Sequence, residues 1–68
     1  MLFKYHVAIV KDNIIVTDKF YNENEKPDEE EYKKLIGQYD PDEMFLNTVE
    51  DSELELFKKE EIDVESLK

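Results

Sequence analysis

The chain predicts a small α+β fold: an antiparallel sheet in the order β-β-α-β-β-β with one helix packed on a face. Two observations carry this. Apolar residues alternate with polar ones near both ends of the chain, which is the period of a half-buried strand. Between them, Tyr32, Leu35, Ile36 and Tyr39 recur at i, i+3, i+4 and i+7, the stripe of an amphipathic helix. With 68 residues, all of them belong to a single domain, 1–68, near the lower size limit for unaided folding.

Residues 2–10 read as the first strand, with Phe3, Tyr5, Val7 and Ile9 on one face and Lys4 and His6 on the other. Lys11-Asp12-Asn13 supplies turn residues, asparagine tolerating positive φ. Residues 14–21 are rich in β-branched and aromatic side chains, with Ile14, Val16 and Phe20 in phase, and close a hairpin. Asn22 to Lys26 is a polar connection ended by Pro27. Asp28-x-x-Glu31 has the spacing of a capping box, with aspartate in place of Ser or Thr. Acids crowd the first turn of the helix that follows, as its dipole favours, and Gly37 supplies a stop, so the helix is expected over 28–37. Asp40-Pro41-Asp42-Glu43 can start a second helix, but the short stretch after it and the Glu50-Asp51-Ser52 turn favour a strand. Leu54 and Leu56 alternate with Glu53 and Glu55, and Ile62 and Val64 with Asp63 and Glu65. Strands are therefore expected near 44–49, 53–58 and 62–66. One sheet face then lies under the helix, and the other is wet or meets a partner.

Charge is segregated along the chain. Residues 1–21 carry three lysines against two aspartates, or +1, whereas residues 22–68 carry 17 acids against six lysines, or −11. Arginine is absent. Phosphate recognition depends on Lys/Arg patches and guanidinium forks, so direct nucleic-acid binding is not expected and a basic protein partner is. No cysteine is present, which fits a cytoplasmic setting and removes disulfides and thiolate metal sites. No secretory leader pattern and no apolar run of membrane-spanning length occurs.

Chemistry finds little footing. His6 is the lone histidine, and the two serines, Ser52 and Ser66, sit in no nucleophile-elbow context. Asp40, Asp42 and Glu43 lack the EF-hand pattern and fit a turn better than a cation loop. Gly37 is the sole glycine, so no phosphate-cradling loop exists. No cofactor is expected, and the reading is that of a non-catalytic protein-binding module. Tyr5, Tyr32 and Tyr39 are assigned to the core or its edge. Phe20 and Tyr21 are adjacent in a strand, so one of them faces outward as a candidate anchor, aromatics being enriched in interface hot spots. Glu50, Asp51, Glu53 and Glu55 complete the candidate partner-binding set, because neighbouring acids on one face repel unless solvent or a basic partner meets them.

Four segments resemble the small epsilon subunit of Firmicutes RNA polymerase. They are Met1-Leu2-Phe3-Lys4, Thr17-Asp18-Lys19-Phe20-Tyr21, Phe45-Leu46-x-x-Val49 with Leu54-Glu55-Leu56, and Ile62-Asp63-Val64-Glu65. Length, acidity and the lack of cysteine are similar too. Departures are Tyr5-His6-Val7 after Phe3-Lys4, Ile14-Ile15-Val16 where the family usually has an arginine, and Asp51 or Ser52 at a turn where it has glycine. The resemblance implies a non-catalytic accessory subunit docked on the polymerase core. Two other readings stay open at this point: a phage or mobile-element inhibitor mimicking DNA with Glu23, Glu25, Asp28 and Glu29 to Glu31, and a generic α+β interaction module.

Overall fold

The computed structural model describes residues 3–49 and 57–68. Strand β1 (Tyr5–Lys11) turns at Asp12 and Asn13, whose φ angles of 54° and 65° put both in the left-handed region. Two such residues make the mirror-image turn that matches strand twist, and Asp and Asn are the side chains that tolerate it best. Strand β2 (Ile14–Tyr21) returns antiparallel. Helix α1 (Glu29–Tyr39) follows, then strands β3 (Glu43–Val49) and β4 (Phe57–Ile62), and a short helix α2 (Val64–Leu67). The described strands form one antiparallel sheet in the order β2-β1-β3-β4. The α+β class and the helix on one sheet face stand as the sequence indicates.

Asp28 caps α1 as expected: its Oδ1 accepts from the Glu31 backbone N–H at 3.1 Å. Leu35 and Ile36 on the inner stripe meet Val7 and Ile9 of β1, Met44 and Leu46 of β3, Ile62 and Val64 in one core. Tyr5, Tyr21, Tyr32 and Tyr39 pack at its margin, so Tyr5, Tyr32 and Tyr39 lie where the sequence assigned them. The connection into β3 is tied to the hairpin tip. Asp42 N–H donates to the Val10 carbonyl at 2.8 Å, and Asp42 Oδ2 accepts from the Asp12 N–H at 2.7 Å. The Asp40–Glu43 segment therefore serves as a buttress, and Glu43 already opens the strand.

Several expectations are corrected. Gly37 does not stop the helix, which runs two residues further and ends at Asp40 in the left-handed region (φ 48°, ψ 56°). The Asp40 N–H closes the last turn on the Ile36 carbonyl at 2.9 Å. The strand expected over 62–66 is instead the end of β4 followed by α2, with Asp63 Oδ1 accepting from the Ser66 N–H at 3.2 Å. Four residues cannot separate a period of 2 from one of 3.6, and Val64 and Leu67 pack on the core through helical spacing. Of the strand expected over 53–58, residues 53–56 lie outside the described residues, and β4 begins at Phe57. Ile14, Val16 and Phe20 are not all in phase. The register slips between Ile9 and Val10, leaving Val16 as the extra residue of a β-bulge, and all three are exposed. Phe3 precedes β1, escapes its alternation and is also exposed.

Candidate functional site

Register assigns each side chain to a face, since residues directly opposite one another in antiparallel strands share one. Away from α1, the pairs His6↔Phe20, His6↔Asn47 and Asn47↔Lys59 build a row Phe20–His6–Asn47–Lys59 across all four strands. The next row, from the pairs through Ala8 and Phe45, is Asp18–Ala8–Phe45–Glu61. Among the described residues, no helix or strand covers this open face.

The rows are ordered by contacts of their own. The Phe3 and Phe20 rings lie 5.5 Å apart, and Phe20 lies 4.9 Å from the His6 imidazole. Asn47 Nδ2 lies 3.0 Å from His6 Nδ1, so an asparagine N–H donor assigns Nδ1 as acceptor and leaves Nε2–H to donate to Asp18 Oδ1 at 2.7 Å. Both ring nitrogens are thus engaged. Lys59 Nζ sits 4.4 Å above the Phe45 ring, a cation–π contact that also lays the lysine stem along the sheet. Ala8, between Asp18 and Phe45 in its row, is only 6% exposed although no described helix or strand covers this face.

Of the two adjacent candidates, Phe20 points outward, 57% exposed, and Tyr21 points toward α1. The Tyr21 hydroxyl donates to Glu31 Oε2 at 2.8 Å. Its pKa is raised, first by burial, then by that hydrogen bond and by the Glu31 charge. Tyr32 is raised by burial, then by Glu60 and Asp28. Tyr21 is therefore a hinge between hairpin and helix and offers a partner little. Glu50, Asp51, Glu53 and Glu55 lie outside the described residues. Glu23, Glu25, Asp28, Glu29 and Glu30 are exposed, in the loop before α1 and in its first turn.

Sequence reasoning did not single out Phe45 or Asn47, which complete the open face. Their signal was present as alternation with Met44 and Leu46, but a strand buried on one side and aromatic on the other reads as continuous apolar chain. A shallow cleft of about 310 Å³ lies on the other side of the sheet, between Tyr32, Leu46, Ile62 and Leu67. Among the described residues, no three His, Asp or Glu side chains converge as metal ligands would, and no helix is long and apolar enough to cross a membrane. Comparison with known proteins gave no matching family model, no matching curated protein and no matching solved structure.

Proposed function

We propose that the chain is a non-catalytic protein-binding module that docks through its open sheet face on a larger partner. The uncovered aromatic row headed by Phe20 carries this reading. A large ring left 57% exposed in a chain with 41% charged residues is an anchor for something that excludes water. The net charge of −10 supports a protein surface with basic character over nucleic acid. The engaged imidazole of His6 supports the absence of catalysis, because neither ring nitrogen is free to take a substrate proton. The resemblance of four segments to the polymerase epsilon subunit implies the bacterial RNA polymerase core as the partner, in the cytoplasm.

The test is capture of purified RNA polymerase core by the immobilised chain. Retention is expected, with at least about a tenfold loss in the Phe20→Ala variant, equivalent to about 1.4 kcal/mol. Retention unaltered by Phe20→Ala would take the open face out of the interface, and failure to retain the core would remove polymerase and leave the generic interaction module. The exposed acids from Glu23 to Glu30 favour one competing reading, an inhibitor that imitates DNA. That mechanism requires competition by duplex DNA and a steep loss of binding with salt, since exposed charges are screened over about 8–10 Å.

A further inference from the structure

Among the described residues, the two edges of the sheet are built on opposite principles. The β4 edge carries Lys58, Lys59, Glu60 and Glu61, all exposed, the charged blunting that prevents an edge from pairing with another chain. The β2 edge carries Ile14, Ile15 and Val16, at 65%, 59% and 49% exposure, with Phe20 further along. No charge or proline interrupts Asn13 to Thr17. A bulge commonly blunts an edge, yet the one at Val16 adds another apolar side chain to it. An eight-residue outer strand of this composition asks for a partner strand.

We infer that the outer edge of β2 pairs antiparallel with β2 of a second copy, about a two-fold axis at Thr17. Charge selects this occupant. The hairpin half of the chain sums to +1 and the remainder to −11, so edge-to-edge pairing joins the near-neutral halves and keeps the acidic halves apart. The β4 carboxylates stand three strand spacings away from the junction, about 14 Å, beyond the roughly 8 Å screening length at physiological salt. Register selects the axis. In an antiparallel two-fold pairing, opposite residues must lie on the same face, so the residue on the axis meets its own copy and the bulged Val16 is passed over in counting outward from it. An axis at Asp18 or Lys19 sets like charges opposite each other, which opposes pairing. At Thr17, with the bulged Val16 passed over, Asp18 faces Ile15 on the open side and Lys19 faces Ile14 on the helix side. Because the axis is perpendicular to the sheet, both open faces look the same way, giving one broad platform with two Phe20 anchors.

Sedimentation equilibrium of the chain alone tests the pairing, independently of whether polymerase binds. The expected result is a concentration-dependent rise from 8.2 kDa to twice that mass between about 10 μM and 1 mM. The Val16→Lys variant is expected to raise the dissociation constant at least about tenfold, with circular dichroism showing the fold retained. The axis is tested by Thr17→Cys, which places a thiol in a chain without cysteine. Opposite Cα atoms in such a ladder lie about 4.5–5.5 Å apart, within disulfide reach. Air oxidation should therefore link Thr17→Cys copies and spare a Gln38→Cys control on the exposed side of α1. A monomer at about 1 mM, or equal linking of both cysteine variants, overturns the inference. A monomer whose Val16→Lys variant loses polymerase also overturns it, and assigns the edge to a foreign strand.

Discussion

The two faces of the sheet use similar residue types for different ends. Under α1, Val7, Ile9 and Met44 have no exposed surface, and Leu46 and Ile62 retain 5% and 9%. On the open face, Phe20 lies against His6 and Lys59 lies over Phe45, and these rings keep surface in contact with solvent. Burial free energy follows area removed from water, about 25 cal/mol per Å², so the helix-covered face holds the stability. The open face keeps apolar area in reserve for binding. Stability and recognition are thereby separable by mutation, which is the property to attack first.

The largest expected effect is at Leu35, 2% exposed at the centre of the covered face. Leu35→Ala is predicted to cost about 2–4 kcal/mol. A single core of this size supplies only about 3–5 kcal/mol, so the variant should sit near its unfolding midpoint in buffer. Phe20→Ala should cost well under half as much, because most of the ring is already wet. Urea titrations followed by circular dichroism give both values on one scale. Equal losses at the two positions would mean that the open face is core in all but name.

Tyr21 crosses from one region to the other and is the place to sharpen the contrast. Its hydroxyl donates to the Glu31 carboxylate from a part-buried position, and Tyr21→Phe is predicted to lose about 1 kcal/mol near neutral pH. The folded chain holds the phenol proton more tightly than the unfolded chain does, because the pKa is raised above its ordinary value of 10.0. That part of the stability is complete below pH 10 and is lost as pH rises beyond it. Tyr32, raised by burial and then by Glu60, acts in the same direction. The deficit of Tyr21→Phe relative to the parent chain should therefore be constant up to about pH 9 and shrink as pH rises above about 10. A deficit independent of pH would detach the raised pKa from this hydrogen bond.

Where the sequence succeeded and where it did not follows from what local signals can encode. The Asp12-Asn13 turn, the Asp28 cap and the Tyr32-Leu35-Ile36-Tyr39 stripe are short-range chemistry, and each appears where the residues indicated. The charged run Lys58 to Glu61 gave no alternation because an edge strand with one flank in solvent needs none, so β4 was misplaced toward residue 62. The bulge at Val16 moved Phe20 out of phase with Ile14, and only pairing with β1 reveals that slip. The outward turn of Phe20 and the inward turn of Tyr21 likewise depend on register, a long-range property. The candidate acids at 50, 51, 53 and 55 fall outside the described residues, so the docking surface rests on Phe20 and its neighbours.

Gly37 gives the smallest effect and the clearest sign. Read from sequence, it is a helix stop, and a stop in the left-handed region resists a side chain. In the fold it is an interior helical residue with no positive φ, and a Cβ built there meets nothing within 4 Å. The stop is Asp40 instead, three residues on. Glycine in a helix interior costs about 0.8–1 kcal/mol relative to alanine, mainly through the greater freedom of the unfolded chain. Gly37→Ala is thus predicted to stabilise the domain by up to about 1 kcal/mol, a gain of about 4–8 °C in Tm for a chain of this size. A helix that ended at Gly37 would respond in the opposite direction, since alanine would be forced into a strained cap. One thermal melt decides between the two, and because residue 37 is exposed on α1, on the other side of the sheet from the open face, neither docking nor self-pairing should change with it.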